Sequence, residues 1–167
     1  DVSHWDQFKT ALGKRGPDGG TGFRLGLFLP FFAFEVNDGI RRNHFVGSLG
    51  TVSFDNWMHV AATYDGNSVE IFLNGKFRGR STNPGPPQVM QKSTFPFLIG
   101  KEGNDGISGH YPWTGQIDEV QLWNRVLTTN EIRSRMWAKL SGNEPGLVGN
   151  WNFDQKDARD LSAYANH

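Results

Sequence analysis

Two turn dipeptides, Asp65-Gly66 and Asn74-Gly75, cut the stretch from Trp57 to Gly79 into three short runs. Dipeptides of this type favour the tight turns whose backbone twist matches that of paired strands. Between them, Val69, Ile71 and Leu73 alternate with Glu70 and Phe72. A period of two puts the first three side chains on one face of a strand. Three strands joined by such turns form an antiparallel meander. That geometry excludes a helical bundle for this part of the chain.

The same pattern recurs along the 167 residues. Phe23–Leu29 alternates, Pro30 interrupts it, and Phe31–Val36 runs on to a turn at Asn37-Asp38-Gly39. Asn43–Phe54, Phe95–Lys101, Thr114–Leu127 and Gly146–Phe153 read as further strands. In the third of these the apolar phase slips by one between Ile117 and Val120, which places a bulge or irregular burial at Asp118-Glu119. Trp5–Leu12 is an apolar and aromatic opening piece. Residues 81–94 hold three prolines and read as a surface crossing, 102–114 as a loop, and 154–167 as a polar tail. The one convincing helix is 129–140, capped by Thr128 or Thr129, with Ile132, Met136 and Leu140 as its apolar stripe and Gly142 ending it. The chain carries 21 glycines, 13 phenylalanines and six tryptophans, a composition of strands and tight turns. These features predict an all-β antiparallel sandwich with one short helix, in a single domain over 1–167.

Composition excludes several function classes. Seventeen basic residues balance seventeen acidic ones, so the chain lacks the basic excess of a nucleic-acid binder. Arg41-Arg42 with Asn43-His44 is a small basic turn, a solvated one or one that meets an acidic glycan or a protein carboxylate. There are no cysteines, which rules out a disulfide scaffold, a zinc–thiolate site and a cysteine nucleophile. No apolar run reaches the ~18–20 residues that span a bilayer. The chain begins at Asp1, which reads as a processed product, an excised domain or a fragment.

The ordered set WMHVAATYDG, VEIFLNGKFRG, FLIGKEG, WTGQIDEVQLWNRVLTTNEI and GLVGNWNFDQ resembles the laminin-G-like domains of the concanavalin-A-like lectin/glucanase superfamily, which includes relatives of the pentraxins. The resemblance runs from about Gly13 to the C-terminus. It implies a concanavalin-A-like jelly roll, an extracellular or cell-surface setting, and a carbohydrate or an extracellular protein as partner. It also implies a strand before the LGKRG piece and another after the tail containing Asp160, Ser162, Asn166 and His167. The flanking strands are expected to be missing from the chain, to be supplied by a parent protein or a partner, unless Asp1–Leu12 covers the gap.

Three kinds of chemistry are candidates. For calcium, Lys101–Gly106 offers Glu102, Asn104 and Asp105 in a loop after a strand, the hard oxygen donors that the ion takes. In the pentraxin relatives, ligands lie just after the matching strand, and Glu102 and Asn104 fall where two of them would be. Gly103 stands where a side-chain ligand is usual. Asp118 with backbone oxygens is the second calcium candidate. For sugar, His110, Tyr111 and Trp113 with Asp105 would form an aromatic and polar rim; the alternative is that Tyr111 and Trp113 fold back over the sandwich edge. Phe31, Phe32 and Phe34 form another aromatic cluster. Trp57, Trp123, Trp151 and Phe153 are assigned to the core, and His59 to a hydrogen-bonded strand position. For hydrolysis, a glycosidase needs two carboxylates across one bond. Asp118 and Glu119 are neighbours that point to opposite faces of a flat strand, and Gln121 cannot act as an acid. The expected function is a noncatalytic lectin-like module; a protein-docking module is the alternative, and a hydrolase is disfavoured.

Overall fold

The computed structural model describes residues 8–15, 21–39, 43–50, 52, 53, 55–83, 85–101 and 111–166, with the side chains of Asn43 and Tyr111 outside that description. The chain divides into two compact units, Asp1–Thr114 and Gly115–His167. It is all-β apart from one short helix, as the alternating runs predict.

In the first unit, β1 (Phe8–Lys14), β2 (Gly22–Phe28), β3 (Phe31–Asn37), β4 (Asn43–Gly47), β8 (Leu98–Ile99) and β9 (Tyr111–Pro112) build one sheet. Its order is β4-β3-β2-β1-β8, antiparallel throughout, with β9 added parallel to β1. The Trp5–Leu12 piece thus contributes a strand, β1, that pairs with β2 and β8. The meander forms a second sheet, β5 (Val60–Tyr64), β6 (Ser68–Leu73) and β7 (Lys76–Thr82), in the order β5-β6-β7.

The two sheets share one apolar core. Leu25, Phe32, Phe34, Val36 and Val46 face Val69, Ile71 and Leu73, all buried. This is the face that the period of two selects on β6. The turns fall where their dipeptides put them. Asn74 and Gly75 have φ of 49° and 68°, the left-handed pair that a two-residue hairpin turn requires. Asp65 Oδ1 accepts the N–H groups of Asn67 and Ser68 at 2.8 and 2.6 Å, closing the other turn. Where β4 and β7 meet, a Cβ on Gly79 would lie 2.8 Å from the Gly47 carbonyl oxygen. Only glycine permits that approach.

Three sequence expectations need correction. Trp57 is 60% exposed and is not a core residue. The strand predicted over Asn43–Phe54 ends at Gly47, where the chain turns to hydrogen-bond Leu49 N–H to the Arg78 carbonyl at 2.9 Å. The helix α1 covers Thr129–Arg135 and not 129–140. Its exit tightens into a three-residue step, with Ala138 N–H on the Arg135 carbonyl at 3.1 Å, which stops the α-helical ladder.

The second unit pairs β10 (Val120–Trp123) with β11 (Leu147–Trp151). Trp151 is 7% exposed and Phe153 half-buried, in line with their expected packing. The guanidinium of Arg135, on α1, lies 5.1 Å from the Trp123 ring centroid. The helix starts with the reciprocal capping box of Thr128 and Glu131. The phase slip has a local cause: Glu119 takes a left-handed φ of 50° immediately before β10.

Candidate functional site

Of the residues assigned to calcium and sugar, Glu102, Asn104, Asp105 and His110 lie outside the described residues. Tyr111 is placed only as backbone, in β9 beside Lys9. Trp113 donates its main-chain N–H to the Gly100 carbonyl at 2.8 Å. Its indole stacks on Phe32, with centroids 6.1 Å apart and planes at 22°, and it packs against the inter-sheet core. The ring is half-buried and its Nε1 has no hydrogen-bond partner among the described residues. Asp118 is exposed and its Oδ1 accepts the Glu119 N–H at 2.9 Å. Burial, then the charges of Asp118 and Asp154, push the Glu119 carboxyl above its usual value. Among the described residues no group of three or more His, Asp or Glu side chains could hold a metal ion. Asp118 therefore gains no such donor set from its described surroundings. The flat-strand argument for Asp118 and Glu119 also falls away, because the strand begins only at Val120.

Two buried polar clusters inside the first unit are paired within themselves. Glu35 is buried and meets Arg24 Nε at 2.5 Å and Arg15 Nη1 at 2.7 Å. His44 and Asp38, both buried, approach to 4.0 Å. The Asn83 amide lies 3.2 Å from His44 Nδ1, and the Tyr64 ring packs edge-on against the imidazole. Buried charge of this sort survives only when partnered. These clusters read as satisfied interior polar groups.

An exposed aromatic residue of this unit, Trp57, lies at the turn end of the three-stranded sheet. Asn74 donates its N–H to the His59 carbonyl at 2.8 Å, and its Oδ1 accepts the His59 N–H at 2.9 Å. This side-chain clasp occupies the His59 main chain where the next ladder rung would form. Residues 57–59 therefore lie outside the strand, and Trp57 is released to solvent. Its sequence neighbours Asp55 and Asn56 are exposed as well. Burial holds the His59 imidazole below its usual pKa, so it is neutral at pH 7, and its Nδ1 has no hydrogen-bond partner among the described residues. On β7, Phe77 is 51% exposed, its ring edge-on to Phe72. Sequence reading missed Trp57 because the run from Trp57 to Tyr64 looks like one continuous strand. The signal that would have separated it is Asn74, whose side chain can cap a neighbouring chain as well as turn its own.

The family model described as the concanavalin A-like lectin/glucanases superfamily, of laminin-G type, matches residues 2–133. The chain belongs to this superfamily. A C-reactive protein of Xenopus laevis is 25% identical over 109 residues, which is 62% of this chain and 44% of that protein. A solved structure of a candidate carbohydrate binding protein from Bacteroides ovatus superposes with a TM-score of 0.67 at 23% identity, over 89% of this chain and 41% of that one. The chain thus spans less than half the length of both relatives. At this identity the structural likeness speaks for the lectin/glucanase fold alone.

Proposed function

We propose that this chain is a noncatalytic, lectin-like module that binds carbohydrate on the exposed surface of its three-stranded sheet. The observation that carries the reading is Trp57, a large flat apolar side chain held in solvent by the Asn74 clasp. A pyranose offers an apolar face of C–H groups and a rim of hydroxyls. An indole covers the first, and the adjacent polar side chains Asp55 and Asn56 meet the second. The description of the Bacteroides ovatus protein supports the same class of ligand. In this reading the module works outside the cell or at its surface. For calcium this reading has two candidate sites, Glu102 and Asn104 at two pentraxin-like ligand positions with Asp105 beside them, and Asp118 with backbone oxygens.

A glycan array with the whole chain, run with and without EDTA and repeated with Trp57→Ala, tests the proposal. The expected result is a defined set of glycans whose signal falls to background in the variant while its thermal midpoint is unchanged. No glycan bound by the wild-type chain, with a protein partner recovered on the same surface, would favour the docking module instead. Turnover of a glycan that Glu119→Gln abolishes would show a hydrolase.

A further inference from the structure

The two edges of the three-stranded sheet are built differently. β7 carries three cations, Lys76, Arg78 and Arg80. Phe77 pairs with Phe72 and Gly79 with Ile71, so Arg78 is the extra residue of a bulge. Its carbonyl is taken by the Leu49 N–H at 2.9 Å. Cations, bulges and covering segments are the devices that keep an edge strand from pairing with another chain. β5 carries neither charge nor bulge. From Val60 to Tyr64 it holds no Lys, Arg, Asp, Glu, Pro or Gly, and its pairing with β6 runs without a register shift. Among the described residues it is paired on one side only.

The core also thins toward this strand. Val69, Ile71 and Leu73 of β6 are buried, whereas Val60, Ala62 and Tyr64 pack against the same core and stay half-buried. The ladder fixes which main-chain groups turn outward. The His59 carbonyl accepts the Asn74 N–H at 2.8 Å, and the Asp65 N–H donates to the Ser68 carbonyl at 3.2 Å. Bonded positions alternate along an antiparallel pair. Ala61 and Thr63 therefore bond inward to β6, and Val60 and Ala62 turn their N–H and C=O groups to the outer edge.

We propose that the outer edge of β5 is a dimerisation strand, pairing antiparallel with β5 of a second copy about a two-fold axis at Ala62. A two-fold contact must be self-complementary, and β5 is. With Ala62 opposite its own copy, outward-turned main-chain groups meet outward-turned ones. Val60 falls opposite Tyr64 of the second copy on the core side, a β-branched and aromatic pair that extends the apolar cover of the core. On the other face His59 falls opposite Asp65 of the second copy, an imidazole against a carboxylate, and no like charges meet between them. The two sheets then run on as one, and the undefended edge disappears. This inference stands apart from the carbohydrate reading and does not need it.

The test is sedimentation equilibrium of the whole chain over a wide concentration range, with amide hydrogen exchange read at both ends of it. The expected result is a reversible monomer–dimer equilibrium. Exchange at Val60 and Ala62 slows only at the higher concentration, while Ala61 and Thr63 are protected at both. Ala62→Pro deletes an outward N–H and spares the β6 ladder, and Thr63→Lys gives β5 the kind of charge that β7 carries. Each is expected to weaken the dimer roughly tenfold or more, with the far-UV circular dichroism of the monomer unchanged. The chain has no cysteine, so Ala62→Cys reports the register: on oxidation it links two chains, whereas Lys76→Cys, exposed on β7, does not. A monomer at every concentration overturns the proposal. So does a dimer that survives Thr63→Lys, or cross-linking no faster at position 62 than at 76. Slow exchange at Val60 and Ala62 in the monomer, as a segment of the same chain lying along the edge would give, overturns it as well. Should Ala62→Pro fail to fold, Thr63→Lys and the exchange of the wild-type chain decide.

Discussion

The Asp160 carboxylate accepts the main-chain N–H of Asn150 at 2.8 Å and so fastens the C-terminal tail to β11. The same group receives the Ser162 N–H and hydroxyl at 2.8 and 3.0 Å, and the Asn166 main-chain and side-chain N–H groups, both at 2.8 Å. One buried anion thus organises the last stretch of the chain.

Asp160→Asn is expected to destabilise the chain by about 1–3 kcal/mol, because it replaces an all-acceptor group by an amide that turns a donor toward donors. Burial works against ionisation of Asp160, but the N–H groups of Ser162, Asn150 and Asn166 outweigh it and hold the carboxyl below its ordinary 3.8. A depressed folded-state pKa gives stability that is present above the unfolded value and lost as pH falls through the folded one. Urea unfolding of wild type and variant at pH 7 and at pH 3 checks both points: the gap between them narrows at the lower pH.

Gly79→Ala is expected to cost about 1–3 kcal/mol, since the new methyl group would collide with the Gly47 carbonyl and lie 3.0 Å from Val46 Cγ2. Gly100→Ala is the contrast in space, with no described residue within 4 Å, although its φ of 82° still strains alanine. Denaturation midpoints of the two variants should fall in that order, with Gly79→Ala the lower.

At α1, Thr128→Ala removes the capping hydroxyl and is expected to cost about 1 kcal/mol. Glu131 answers the cap, and its hydrogen bonds from Arg125 and then Thr128 lower its pKa from 4.5 to about 2. The box therefore stays charged well below pH 4 and opens only as pH falls toward 2. Resolved amide exchange at Glu131 and Ile132 between pH 5 and pH 2.5 checks the prediction: protection persists across that range in wild type and is lost in the variant.

Much of the fold was legible because its signals are local. Asp65-Gly66 and Asn74-Gly75 marked both turns of the meander, and the alternation of Val69, Ile71 and Leu73 named the buried face of β6. The Thr128–Glu131 spacing marked the helix start. What escaped depends on partners far along the chain. Trp57 looked like a core residue because nothing near it in sequence reports that Asn74 closes the ladder at His59. Arg78 carried no motif, since a bulge is a property of two strands in register. Trp113 was legible as an aromatic of the 102–114 loop, but its packing on Phe32 is a contact across 81 positions of sequence.

Tryptophans 57 and 151 should separate on mutation. Trp151→Ala is expected to cost about 3–5 kcal/mol as a cavity in the second unit, whereas Trp57→Ala leaves stability within about 0.5 kcal/mol of wild type. Thermal and urea unfolding of the pair measure the difference.

The most direct measurement is an NMR titration of the indole Nε1–H signals with a glycan that the chain binds, the Trp57 signal assigned from Trp57→Phe. The account predicts a saturable shift at Trp57 with the Trp151 signal unmoved. A glycan that binds the chain and leaves Trp57 unshifted would contradict it.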